Sequence, residues 1–126
     1  MMHILLVEDS RLLRDAITEM LSGCQNLSVD AYASNSHDAI SLLKNNKFDL
    51  IIADIELTEG NGFDVVKFTD SKEYPYDKPV TVMLTNHSNS YYKNLAKQLG
   101  IKYFYDKSMD FETAIDTIES EAKKFQ

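Results

Sequence analysis

The 126 residues include one cysteine, two prolines and four glycines, and no tryptophan. A single thiol, Cys24, leaves no partner for an internal disulfide and rules out a Cys-rich zinc site, which suits a reducing compartment. So little Gly and Pro excludes collagen-like and low-complexity classes. Basic charge is short as well. Thirteen Lys and Arg stand against twenty Asp and Glu, and the formal charge of −7 repels a phosphate backbone, which argues against autonomous nucleic-acid binding. Long apolar runs are missing too: the opening segment, Met1 to Val7, meets Glu8 and Asp9 and is too short for a signal peptide or membrane span. What is present is a 44% hydrophobic content, enough to offset chain entropy by burial, in a length that fits one domain over residues 1–126. These bounds describe a small, acidic, cytoplasmic α/β protein.

Five short β-type runs alternate with five helix-length segments. Ile4 to Val7, Leu50 to Ala53 and Val80 to Leu84 are apolar on both faces, as suits the centre of a parallel sheet. Leu27, Val29, Ala31 and Ala33 alternate with polar or exposed types, which predicts a less covered edge strand. Tyr103 to Tyr105 forms a short aromatic fifth strand, also at an edge. Between them, Leu12, Leu13, Ala16, Ile17, Met20 and Leu21 make a helical stripe with Gly23 as its C-terminal cap. Ser36 is the expected N-cap of the second helix, Gly60 and Gly62 lead into the third, Gly100 stops the fourth, and Asp110 caps the fifth. Strict βα alternation requires right-handed crossovers, and the economical arrangement is a flavodoxin-like doubly wound (βα)5 fold with strand order 2-1-3-4-5.

Ligands of such sheets sit beyond the carboxyl ends of the strands. The first strand ends in Glu8-Asp9, the third in Asp54, the fourth in Thr85 and the fifth in Lys107. Taken singly, each has a bland reading as a helix-dipole partner, a cap or a solvated surface group. Taken together, three carboxylates, a hydroxyl and an ammonium converge on one rim. Clustered carboxylates repel unless a cation neutralises them, and oxygen-only ligands suit Mg²⁺. An aspartate beside such a metal and a lysine has the surroundings needed to attack phosphorus.

At this point the chain resembles the receiver domain of bacterial two-component response regulators, of chemotaxis-regulator type. The resemblance rests on Ile4-Leu5-Leu6-Val7-Glu8-Asp9, on Asp54-Ile55-Glu56-Leu57 followed by Gly62, on Val82-Met83-Leu84-Thr85 and on Tyr103-Phe104-Tyr105-Asp106-Lys107. It implies that Asp54 accepts a phosphoryl group from a phosphohistidine on a histidine kinase or histidine phosphotransferase. Glu8, Asp9, Asp54 and the backbone carbonyl of Glu56 would hold Mg²⁺. Thr85 and Lys107 would engage phosphoryl oxygens, and Phe104 stands where the family has its switching aromatic. Such a module is a phosphoacceptor rather than an enzyme, and it would signal to a downstream protein partner or a second copy of itself.

Three positions depart from the family pattern. Ser108 follows the motif lysine where Pro is common, Thr58 replaces a frequent Pro after Asp54, and Asn86 is larger than the usual residue after the motif threonine. None removes a chemical group. His87 is a minor candidate for facing Glu56 across the site, against its bland reading as a solvated loop histidine. Two other classes compete. A Mg²⁺-dependent aspartyl-phosphate phosphohydrolase is suggested by Asp54-Ile55-Glu56-Leu57-Thr58, but the second acid is Glu and two βα units precede it. A degenerate receiver serving as a binding scaffold would have lost one of the five groups, and none is lost.

Overall fold

The computed structural model of the chain describes residues 1–125; Gln126, the last residue of the expected domain, lies outside them. Five strands and five helices alternate: β1 (Met2–Val7), α1 (Arg11–Ser22), β2 (Leu27–Ala33), α2 (Ser36–Asn45), β3 (Leu50–Ala53), α3 (Gly62–Thr69), β4 (Val80–Thr85), α4 (Ser90–Gln98), β5 (Tyr103–Asp106) and α5 (Phe111–Ala122). The strands form one parallel sheet in the order β2-β1-β3-β4-β5, as the alternation requires.

Side-chain alternation along the central strands divides the core in two. Met2, Ile4 and Leu6 of β1 join Leu50 and Ile52 of β3 against Ile17 and Leu21 of α1 and Ala114 and Ile118 of α5. Leu5, Val7, Ile51 and Ala53 point the other way, onto Ala39 and Leu43 of α2, Phe63 and Val66 of α3 and Ala96 of α4. Residues buried on both faces explain the continuous apolar runs. Truncating Ile51 or Ile52 to Ala is expected to cost about 2–5 kcal/mol, because a dense core closes poorly over a cavity.

β2 is an edge strand, but its alternation does not mark one covered face. The pairing with β1 slips by one residue, so that Ile4 lies opposite Val29 and Leu5 opposite Ala31, leaving Asp30 as the extra residue of a bulge. Leu27 and Val29 therefore pack on the α1/α5 side, whereas Ala31 and Ala33 pack on the α2 side. The same slip turns Tyr32 toward α1, where the Arg14 guanidinium lies 4.6 Å from the centre of its ring.

Helix ends correct several expectations. Asn35, not Ser36, caps α2, its Oδ1 accepting from the Asp38 amide at 2.8 Å. Asn61 and Asp64 form a reciprocal capping box on α3. Asp110 stands at the cap position of α5, yet its carboxylate accepts from the Asp106 amide and not from the helix. Gly23 ends α1 in right-handed rather than left-handed geometry. Leu12 is 83% exposed and Met20 is also exposed, so the buried face of α1 is narrower than its apolar stripe.

Candidate functional site

β1, β3 and β5 each deliver their next residue to the same edge by extending the ladder one step. The Glu8 amide donates to the Ala33 carbonyl at 2.9 Å, the Asp54 amide to Val7 at 3.0 Å and the Lys107 amide to Thr85 at 3.0 Å. Glu8, Asp9, Asp54, Thr85 and Lys107, far apart in the chain, thereby meet at the carboxyl ends of β1, β3, β4 and β5. The rim expected from strand order is present.

Its charges are closely interlocked. Lys107 Nζ lies 2.6 Å from Asp54 Oδ2 and 2.8 Å from Glu8 Oε1. The other Glu8 oxygen accepts from the Ser10 amide at 2.9 Å. Burial pushes the Glu8 carboxyl above its ordinary 4.5, and the hydrogen bonds from Lys107 and Ser10 only partly offset it. Burial opposes the Lys107 ammonium as well, but the bonds and charges of Asp54 and Glu8 outweigh it, holding its pKa above the ordinary 10.5. Asp54 Oδ1 is buried without a hydrogen-bond partner.

The loop after β3 is shaped by glycine. A Cβ on Gly62 would lie 2.1 Å from the Asp54 carbonyl oxygen, so only Gly allows α3 to start against the backbone of Asp54. The Gly62 amide donates to the Ile55 carbonyl at 2.9 Å, and Glu56 bridges to Asn61. On the opposite wall, fully buried Thr85 uses Oγ1 to accept from the His87 amide at 3.1 Å, leaving its own proton available to donate. The His87 ring reaches across the mouth, Nε2 lying 2.7 Å from Glu56 Oε2, and packs 5.4 Å from Tyr92. The minor candidate His87 does face Glu56.

Phe104 pairs in register with Met83 and packs, half-buried, against the α2/α3/α4 side of the core. Thr85, two residues after Met83, shares that face. The Lys107–Ser108 bond is trans, as are the other peptide bonds among the described residues.

Two features of this rim were not anticipated from the sequence. Ser88 Oγ donates to Asp106 Oδ2 at 2.7 Å, tying the loop after Thr85 to the end of β5. Asp106 also accepts from the Ser108 and Met109 amides, and its pKa is lowered chiefly by the Ser88 bond and these two amides. Arg14, from the first turns of α1, donates to the carbonyls of Glu8 and Asp9 at 2.9 and 3.3 Å. Only the placement of Asp106 beside Lys107 and of Arg14 shortly after the acid pair hinted at either.

The residues fit a hard divalent cation. Glu8, Asp9 and Asp54 each offer a carboxylate oxygen, and these atoms lie within 4.8 Å of one another. Asp9 and Asp54 border a cavity of about 260 Å³ that Glu56, Asn86, His87 and Lys107 also line. The unpartnered Asp54 oxygen is the kind of buried acceptor that a cation satisfies. A larger cavity, about 880 Å³, lies at the other end of the strands beside Met1, His3 and Phe48; its lining includes two carboxylates, Asp30 and Asp49, against the three clustered at the rim. Chemistry, not size, selects the site. Cys24 stands apart from it, donating to Glu119 Oε2 at 3.0 Å; burial and that carboxylate push the thiol up to about 11, as befits an unreactive structural residue.

The response regulator receiver domain family matches residues 4–119. The chain belongs to that family. It is 30% identical over 124 residues to the sensory transduction protein LytT of Enterococcus faecalis, covering 98% of this chain and 49% of that protein. Against LytT of Bacillus anthracis the identity is 26% over 126 residues, 100% of this chain and 49% of that one. The chain thus spans about half the length of the curated relatives it matches. Among solved structures, a LuxR-family DNA-binding response regulator from Staphylococcus aureus superposes with a TM-score of 0.84 at 20% identity, over 97% of this chain and 99% of that one. The non-phosphorylated HemR receiver domain of Leptospira biflexa gives 0.79 at 28% identity, over 95% of each. The receiver is therefore a two-component signalling domain, and none of its described helices is long and apolar enough to cross a membrane.

Proposed function

We propose that this receiver is a cytoplasmic phosphoacceptor switch in which Asp54 takes a phosphoryl group from a phosphohistidine on a histidine kinase or phosphotransferase. The observation that carries the reading is the state of Asp54: one oxygen held by Lys107, the other buried and unpartnered, beside two further acids. An Asp54 oxygen attacks phosphorus, a P–O bond forms, the P–N bond to imidazole breaks, and the departing ring nitrogen takes a proton. Glu8, Asp9, Asp54 and the Glu56 carbonyl would hold Mg²⁺, which when bound shields the incoming charge. Lys107, fixed by its two carboxylates, balances charge on the equatorial oxygens, and the free proton of Thr85 donates to one of them.

The switch follows from packing. Drawing the Thr85 hydroxyl toward a phosphoryl oxygen strains its bond from the His87 amide and the Ser88–Asp106 tie, opening space under α4 into which half-buried Phe104 turns. Phe104 has no hydroxyl, so packing alone sets its preference. The α4/β5/α5 surface then changes for a protein partner or a second copy of the chain. Beryllofluoride, a phosphoryl mimic, tests the site: a bound fluorine NMR signal requiring both Mg²⁺ and the Asp54 carboxylate is expected. Its appearance without Mg²⁺, or in Asp54→Asn, contradicts the reading.

A further inference from the structure

The acidic loop between β1 and α1 carries two of the three clustered carboxylates, yet Asp9 is exposed and its direction depends on how the loop backbone is held. The structure supplies a specific holder. One guanidinium nitrogen of Arg14 donates to both consecutive carbonyls, 2.9 Å from Glu8 and 3.3 Å from Asp9, fixing the two peptide planes that aim these side chains. The guanidinium is in turn seated on the ring of Tyr32, 4.6 Å from its centre. Tyr32 lies on that side only because the bulge at Asp30 shifts the register; unbroken alternation would carry it to the α2 side.

We propose that Arg14 is the positioning residue of the acidic loop, held in place by Tyr32 across the β2 bulge, and that it presets Asp9 and Glu8 for cation binding. The inference rests on reading those acids as a metal site. Arg14 touches backbone, not ligand, so its role is geometric, and the sign of its effect is diagnostic. Removing a positive charge near a cation site favours Mg²⁺ electrostatically, whereas losing the grip on the loop disfavours it. Arg11 provides the comparison: it loses the same charge on substitution but is highly exposed, and it pairs with Asp15 at 3.9 Å.

The experiment is a Mg²⁺ titration of the intact chain followed by amide NMR, with amide relaxation of Asp9 and Ser10 recorded without metal. Arg14→Ala is expected to weaken Mg²⁺ about tenfold, in the range that supporting residues of metal ligands command, and Arg14→Lys less. Tyr32→Ala should weaken it about threefold and Tyr32→Phe should restore wild-type affinity, since the ring rather than the hydroxyl seats the guanidinium. Arg11→Ala should bind as wild type or slightly tighter. Faster motion of Asp9 and Ser10 should accompany the Arg14→Ala loss; if that variant does not fold, the Tyr32 pair reads the same tie. Arg14→Ala or Tyr32→Ala binding Mg²⁺ as tightly as wild type overturns the proposal. If the wild-type chain takes up no Mg²⁺, the metal-site reading falls instead, and the relaxation decides the positioning: unchanged order at Asp9 and Ser10 in Arg14→Ala refutes it, and increased motion supports it.

Discussion

The Lys107 ammonium lies 2.6 Å from an oxygen of Asp54, reaching it from β5 across the width of β4. Glu8, at the end of β1, shares the same ammonium at 2.8 Å. One cation therefore serves two buried carboxylates, and the site without metal carries an excess of negative charge.

Its first consequence is a pH dependence of stability. The unfolded chain releases the Glu8 proton near 4.5, while burial makes the folded chain hold it to higher pH. The stability contributed by protonated Glu8 is full below 4.5 and is lost as pH rises through the folded value. Glu8→Gln keeps an acceptor for Lys107 and removes the titration. Urea denaturation of the metal-free protein should show wild type losing stability above pH 4.5 relative to this variant. Parallel curves would show that Glu8 is not strained by burial.

Asp9 is exposed, so its charge costs the free protein little, and in the proposed function it serves the cation. Asp9→Asn should weaken Mg²⁺ at least about tenfold, because a hard cation depends on carboxylate ligands. Stability of the metal-free form should hold or rise slightly as repulsion with Glu8 and Asp54 is relieved. Calorimetric titration checks the first effect and thermal unfolding the second; wild-type affinity in the variant would remove Asp9 from the site.

The sheet and its rim were legible in the sequence because parallel strands buried on both faces write continuous apolar runs, whose ends locate Glu8, Asp54 and Thr85 directly, while the short aromatic β5 points to Lys107. The β2 bulge was not, since inserting Asp30 leaves the spacing of Leu27, Val29, Ala31 and Ala33 intact while moving half of them to the other face. Caps were misread where two neighbouring residues were both able to act: Asn35 lies beside Ser36, and extended backbone geometry at Asn35 decided between them. Asp110 was diverted to the Asp106 amide. Arg14 and Ser88 were only hinted at because their partners are main-chain carbonyls and the acid that ends β5, which residue type alone does not announce.

In the proposed function, Thr85 separates phosphorylation from switching. Its hydroxyl is buried and bonded to the His87 amide, and it stands between the proposed phosphoryl site and the face of Phe104. Thr85→Ala should still be labelled at Asp54 but fail to shift the Phe104 ring signals on addition of beryllofluoride. Ring shifts equal to wild type in that variant would refute the coupling, as would wild-type perturbations that never reach α4 or β5.

The central claim is that Asp54 is a phosphoacceptor, and intact-mass analysis after treatment with acetyl phosphate and Mg²⁺ tests it most directly. The account predicts a single phosphoryl adduct on the wild-type chain, dependent on Mg²⁺, and none on Asp54→Asn, whose amide is a poor nucleophile. An adduct of equal yield on Asp54→Asn, or an unmodified wild-type chain, would contradict it.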